Sequence, residues 1–92
     1  MKEKFFTVTL DVKDINTQID LGDRLFRCLA CCSERAGRKA KRSLEDMIFK
    51  SWFKDTCEDY ELTAEQLKAM MKDGVVKYPN FYEVTILRVN EG

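Results

Sequence analysis

The side chains best suited to chemistry in this sequence are four cysteines. Cys28, Cys31 and Cys32 form a C-x-x-C-C run, and Cys57 stands far from them. C-x-x-C spacing is typical of zinc and thiol redox sites, but no second such pair and no histidine pair completes a set of four ligands. The run falls within a predicted amphipathic helix, where Cys28 and Cys32 would pack as small apolar side chains. We therefore predict core packing, with no metal and no cofactor; a metal site and a redox role are the alternatives.

The chain contains no histidine, which removes the commonest general base and the commonest metal ligand. Its four glycines are isolated from one another, so neither a phosphate-binding loop nor a dinucleotide-binding loop is present. A carboxylate pair could come from a cluster of acids, which comprises Asp55, Glu58, Asp59, Glu61 and Glu65. The pattern indicates no pocket around them, and we interpret them as a solvated loop and helix start. We predict that the protein is not an enzyme and has no catalytic residue.

A run of bases is the strongest candidate for partner binding. It comprises Arg35, Arg38, Lys39, Lys41 and Arg42, with only small residues between them and no acid. The net charge of the chain is zero, so attraction to an anionic partner has to come from this local run. The run could contact phosphates in a salt-sensitive way or pair with an acidic protein surface. A solvated connector between two helices, partly neutralised by the acids of residues 55–65, is the third interpretation.

Aromatic side chains are the second candidate for partner binding. The chain has six phenylalanines, three tyrosines and one tryptophan. Trp52 and Phe53 are adjacent on one predicted helix, so they cannot both point straight into one seam. Tyr78 and Tyr82 flank a predicted turn. Because exposed rings near arginines are typical interface anchors, we predict Trp52, Tyr78 and Tyr82 as partner-binding residues. Burial of Trp52 and Phe53 in the core is the alternative.

Two segments have the pattern of β-strands. In residues 5–12, Phe6, Val8, Leu10 and Val12 alternate with more polar residues, as in a half-buried strand. Residues 81–89 are also rich in β-branched and aromatic side chains, although both faces are more apolar. We expect these two terminal strands to pair in one small sheet.

The segment between the strands has helical periodicity. A first helix would carry one apolar stripe, which comprises Leu21, Leu25, Cys28, Leu29, Cys32 and Ala36. Gly37 would end this helix, and Ser43, with Asp46 three residues on, would begin a second one. One long helix that continues through Gly37, at a cost of about 1 kcal/mol, is the alternative.

A third helix has the clearest local pattern. Thr63 is placed as its N-cap with Gln66 as the third helical residue, and Gly74 follows the last turn. A short strand over residues 75–78 would follow. We thus predict one α+β domain over residues 1–92 in the order β-α-α-α-(β)-β. Two or three mainly antiparallel strands, including the N- and C-terminal strands, would pack against three helices.

Two DNA-binding families resemble parts of the chain. The strand over residues 4–11, and residues 43–48 after Gly37, resemble the ribbon-helix-helix repressors, although the segment between strand and glycine is longer here. Residues 62–89, a capped helix followed by a predicted hairpin, are similar in outline to the end of a winged-helix domain. These resemblances imply a DNA-binding transcriptional repressor, which in the first case would be a dimer.

The overall profile is similar to that of small phage-encoded inhibitors of bacterial defence, including anti-CRISPR proteins. It consists of a short α+β domain, no catalytic constellation, segregated charge and many aromatic residues. The resemblance implies a non-enzymatic inhibitor that docks on a protein or nucleoprotein complex and blocks its binding of target nucleic acid. No apolar run approaches the roughly 18 residues of a membrane span, and the first residues lack the apolar core of a signal peptide. We therefore expect a cytoplasmic protein with no membrane partner, and its oligomeric state stays open.

Overall fold

The computed structural model describes residues 2–92. Over these residues the chain forms β1 (Lys4–Asp14), β2 (Asp20–Ala30), α1 (Ser33–Asp59), α2 (Ala64–Lys72) and β3 (Tyr82–Glu91). The predicted α+β class and the antiparallel sheet are confirmed, whereas the three helices and the order β-α-α-α-(β)-β are wrong. Within the described residues there is also no strand over residues 75–78. Neither described helix combines the length and the apolar character that crossing a membrane requires.

The sheet is built around β1, the first strand of the chain. The strand order is β2-β1-β3, and β1 is antiparallel to both neighbours. The predicted pairing of the two terminal strands is therefore confirmed. The alternation in β1 is confirmed as well, because Phe6, Val8, Leu10 and Val12 are all buried. These four side chains give the sheet one apolar face.

The segment predicted as the first helix is the strand β2 instead. Leu21, Leu25 and Leu29 are four residues apart, a spacing that suits a helix but also returns to the same face of a strand, because four is even. A tight turn favours the strand. The carboxylate of Asp14 accepts the N–H groups of Asn16 (2.9 Å) and Thr17 (3.1 Å), and this turn brings residues 20–30 back along the edge of β1.

α1 continues through Gly37, where we predicted a break. Gly37 is buried, and a Cβ atom on it would lie 3.1 Å from Cδ1 of Ile86 in β3. The absent side chain therefore lets the helix approach the sheet closely, and this packing offsets the cost of about 1 kcal/mol for a helical glycine. Ser43 lies inside α1 and does not cap a second helix. The alternative of one long helix is the one the protein adopts.

The described residues divide into two compact units. The sheet unit comprises residues 2–45 and 81–92, and the aromatic unit comprises residues 46–80. In the sheet unit, the apolar face of β1 is buried together with Ala36, Ala40 and Leu44 of α1. The core there combines large apolar side chains of β1 with two alanines and a leucine of α1.

The aromatic unit contains α2, whose ends follow the predicted pattern. The hydroxyl of Thr63 accepts the N–H of Gln66 (3.1 Å), and the N–H of Thr63 donates to the side-chain oxygen of Gln66 (2.8 Å). At the other end, Gly74 has φ of 77°. The N–H groups of Gly74 and Val75 donate to the carbonyls of Met71 and Met70, which closes the helix as a Schellman motif.

Candidate functional site

The five predicted bases lie in the first half of α1, three of them on the side away from the sheet and two, Lys39 and Lys41, at its flanks. An α-helix turns by about 100° per residue, so the buried residues Ala36, Gly37, Ala40 and Leu44 share one side. Arg35, Arg38 and Arg42, at positions i, i+3 and i+7, share the opposite side. The prediction that these bases lie at a junction between two helices is wrong, because α1 is continuous over Ser33–Asp59. The continuous helix holds them in a regular row.

These side chains line one shallow cavity. It has a volume of about 480 Å³ and is lined by Arg35, Arg38, Lys39, Lys41, Arg42 and Glu45. We refer to these six residues as the basic groove. All five predicted bases are therefore brought together in one place, with one carboxylate beside them. Most of the groove's charge is positive, which favours an anionic ligand.

Two of the five bases have partners within the sheet unit. Arg38 forms an ion pair with Glu34, one turn earlier on the helix. The ammonium of Lys39 donates to the carbonyl oxygen of Leu29 (2.7 Å) and lies 3.5 Å from a carboxylate oxygen of Glu3. Exposed ion pairs of this kind stabilise a fold by at most about 1 kcal/mol, so an incoming anion can exchange with them.

The other three bases of the groove have unneutralised charge. Arg35, Lys41 and Arg42 form no salt bridge with any carboxylate among residues 2–92. Arg35 also lies in the first turn of α1, where the peptide dipoles contribute further positive potential.

The cysteine run lies at the junction of β2 and α1. Our prediction that it falls inside a helix is wrong: Cys28 is in β2, and Cys32 precedes the first helical residue. The carbonyl of Cys32 accepts the N–H of Ala36 (3.1 Å), so Cys32 is the N-cap of α1. The thiol of Cys28 donates to the carbonyl of Ala36 (3.5 Å).

The thiol of Cys32 is exposed at this N-cap, so the prediction that it packs in the core is wrong. The pKa of this thiol is lowered, chiefly because the backbone N–H of Arg35 stabilises the thiolate. Partial desolvation raises the pKa and opposes this effect. Cys31, the N–H of Glu34 and the charge of Arg35 lower the pKa further, each to a smaller extent. Such a thiol is more nucleophilic at neutral pH than an ordinary one. Among residues 2–92 no three histidine, cysteine or acidic side chains are grouped so as to hold a metal ion.

The predicted aromatic anchors are distributed over both units. In the aromatic unit, Trp52 and Tyr78 are half-buried with ring centroids 5.1 Å apart, and both pack around Phe49 at 5.9 and 5.1 Å. Phe53 joins the cluster at 6.0 Å from Phe49. In the sheet unit, Tyr82 begins β3, opposite Asp14. That Trp52, Tyr78 and Tyr82 contact a partner stays a prediction.

The carboxylates of Asp11 and Asp20 lie close together in the sheet unit, and no pattern in the sequence predicts this proximity. Asp11 of β1 lies opposite Asp23 of β2, and across the irregular pairing that follows, its carboxyl shares a hydrogen bond with Asp20 at the start of β2. The pKa of Asp11 is raised, first by a hydrogen bond shared with Asp20, then by partial desolvation and by the charges of Asp20 and Asp23, while Lys13 opposes the shift. The pKa of Asp20 is lowered, mainly because it accepts the N–H of Gly22 (2.8 Å). Only the register of the hairpin could have revealed this pair.

Comparison of the chain with protein-family models, with curated proteins and with solved structures finds no match. The topology of this chain also differs from the one that the two DNA-binding resemblances imply. Both sides of β1 pair with strands of the same chain, and β3 pairs with β1 and forms no hairpin with residues 75–78. Function therefore has to be inferred from the chemistry of the basic groove.

Proposed function

We propose that this protein is a non-enzymatic binding module of the inhibitor type, which docks on a protein or nucleoprotein complex through the basic groove. The observation that supports this most is the concentration of five bases around one cavity on α1, with the three arginines opposite the side that packs on the sheet. Three of these bases have no salt bridge within residues 2–92. A surface with this much unpaired charge favours an anionic partner.

The groove suits an extended partner better than a small ligand. It is a shallow surface along an exposed helix, whereas small-molecule sites enclose most of their ligand in an apolar pocket. Arg35, Arg38 and Arg42 present planar guanidinium groups, which bind phosphates and carboxylates in a bidentate manner. The spacing of the three arginines along the helix matches a ligand with several anionic groups in a row.

The charge of the groove also limits how such an inhibitor could act. A positive surface cannot occupy a phosphate-binding channel by mimicking nucleic acid, because that channel is itself positive. It has to contact either the nucleic acid that a complex already carries or an acidic surface of its protein. In both cases it would block the approach of target nucleic acid by steric exclusion, with Trp52, Tyr78 and Tyr82 as additional contacts.

The test is a tagged pull-down from native host cells, with half of each sample treated with nuclease. Arg35→Gln/Arg38→Gln/Arg42→Gln is compared with Lys54→Gln/Lys68→Gln/Lys72→Gln, a control that removes three exposed charges from outside the groove. We expect the wild type and the control to retain a defined complex and the arginine variant to lose it. Equal capture by both variants, with both folded by circular dichroism, would overturn the proposal.

The same row of arginines favours direct DNA binding as a second candidate, in line with the repressor resemblance. Fluorescence anisotropy with duplex DNA at low salt tests it. Binding should weaken steeply with salt, and the slope should fall by about 0.9 for each phosphate contact that an arginine substitution removes. An absence of binding at low salt would exclude this candidate.

A further inference from the structure

The outer edge of β2 presents backbone groups that no strand among residues 2–92 covers. β2 is an edge strand in the order β2-β1-β3. The carbonyl of Phe5 accepts the N–H of Gly92 (2.9 Å), so the backbone groups of Phe5 point toward β3. Because hydrogen-bonding directions alternate in antiparallel pairs, the groups of Leu29, which is opposite Phe5, point to the outer edge. The register runs without a shift to Asp23, so Leu25 and Arg27 share this direction.

The side chains of the same residues lie on the face of the sheet opposite the buried side chains of β1. Leu25 is 71% exposed and Leu29 is 42% exposed. Phe5, across from Leu29, is 49% exposed and lies under the guanidinium of Arg27 at 4.6 Å. The edge strand therefore combines available backbone hydrogen bonds with an exposed apolar stripe, and a strand of this kind can pair with another chain.

The sequence of β2 is complementary to itself when it is read in the opposite direction. From Leu21 to Leu29 every second residue is Leu, Asp, Leu, Arg, Leu. An antiparallel pair of two such strands centred on Leu25 places Leu25 opposite Leu25 and Asp23 opposite Arg27, twice by symmetry. Leucine pairs and opposite-charge pairs across strands both stabilise a sheet. A two-fold axis at Leu25 makes this an isologous, closed interface.

We propose that β2 pairs antiparallel with β2 of a second copy of this chain, with the two-fold axis at Leu25, to form a continuous six-stranded sheet. The outward backbone groups of Leu25 then bond to those of Leu25 in the second copy. The N–H of Asp23 likewise bonds to the carbonyl of Arg27 in the second copy, and the two-fold axis repeats this bond. The exposed leucines of both copies are joined on one face of the combined sheet.

Side chains limit the length of this seam. Arg24 donates to the carbonyls of Leu21 (3.4 Å) and Asp23 (3.2 Å), and Lys39 donates to that of Leu29. The carbonyls of Leu25 and Arg27, near the centre, accept no side-chain hydrogen bond from residues 2–92. A seam centred on Leu25 is short, and an interface well below the standard size of about 1,600 Å² dissociates readily. We therefore expect a dimer that separates on dilution.

Sedimentation velocity on the full chain, from low micromolar to near-millimolar concentration, tests the dimer. The wild type should shift from monomer to dimer with rising concentration, and Leu25→Lys should stay monomeric because two ammonium groups would meet at the axis. Leu87→Lys is the matched control, since Leu87 is also exposed but lies on β3, and it should dimerise like the wild type. A wild type that is monomeric throughout would overturn the proposal.

A charge exchange tests the register. Asp23→Arg alone and Arg27→Asp alone should each weaken the dimer about tenfold, because like charges then oppose each other at two symmetric positions. The double variant Asp23→Arg/Arg27→Asp restores opposite charges in the same register, and its dissociation constant should return to near that of the wild type. A double variant that is weaker than both single variants would refute this pairing.

Discussion

The sheet unit and the aromatic unit are stabilised in different ways. The sheet unit buries Val8 and Leu10 completely, and it also buries Ala36 and Ala40 of α1. The aromatic unit buries Leu67 completely, and its other large contacts are rings that remain half-exposed. Free energy from apolar burial scales with the area removed from water. We therefore expect the sheet unit to have the more stable core. The stability of the aromatic unit should depend on a few side-chain contacts and on the capping of α2.

The largest effect that separates the two units is expected from their buried leucines. Leu10→Ala and Leu67→Ala should each cost about 2–5 kcal/mol, since each leaves a cavity at a fully buried position. Hydrogen exchange with peptide resolution should show loss of protection in the whole chain for Leu10→Ala. For Leu67→Ala, the loss should be confined to residues 46–80.

Leu87→Ala serves as the control for both variants, because Leu87 is exposed and its truncation should change protection little. If Leu67→Ala lowered the protection of β1 as much as Leu10→Ala does, the two units would unfold as one, and the contrast between them would not hold.

A smaller effect is expected from the cap of α2. Thr63→Ala should destabilise the aromatic unit by about 1 kcal/mol, because the N–H of Gln66 loses its acceptor. The loss should appear as faster exchange of the α2 amides, with the amides of β1 unchanged. Gln66→Ala keeps the threonine hydroxyl, and it should therefore have the milder effect. Equal exchange in Thr63→Ala and the wild type would show that packing alone maintains α2.

The smallest effect concerns the acidic pair of the sheet unit. A raised pKa of Asp11 means that the folded state favours the protonated carboxyl, so its stabilisation is present at low pH and is lost as the pH rises through the folded pKa. Asp11→Asn stays neutral and its amide can still donate to Asp20. The melting temperature of this variant relative to the wild type should therefore increase as the pH rises above 3.8, the ordinary value of an aspartate.

Thermal denaturation of the wild type and Asp11→Asn across this pH range provides the measurement. Asp23→Asn is the control, because the charge of Asp23 is only a minor cause of the shift at Asp11 and its removal should have a weaker pH dependence. A difference between Asp11→Asn and the wild type that shrinks with rising pH would show that Asp11 and Asp20 do not repel each other in the folded state.

Local patterns predicted part of the fold correctly. The alternation around Val8 and Leu10 identified β1, and the pair Thr63 and Gln66 identified the start of α2. Both patterns act through neighbours in sequence, by strand pleating and by capping hydrogen bonds. The five bases of the groove were also recognised, because their clustering lies within eight consecutive residues.

The failures occurred where the deciding partner is distant in sequence. The four-residue spacing of Leu21, Leu25 and Leu29 fits both a helix and a strand, and the turn at Asp14 together with the free edge of β1 decided for a strand. Similarly, the pairing of Asp11 with Asp20 depends on the register of the hairpin, which a single sequence does not specify.

By itself, the sequence determined the α+β class, the terminal strands, the capped helix and the basic residues, because those features rest on side-chain periodicity and on hydrogen bonds between near neighbours. The tertiary structure alone decided that α1 continues through Gly37. Ile86 approaches the helix so closely at this position that only a residue without a side chain fits there easily. That continuity aligns Arg35, Arg38 and Arg42 in one row. The composition of the basic groove was thus set locally, whereas its shape was set by packing between a helix and a strand far apart in the chain.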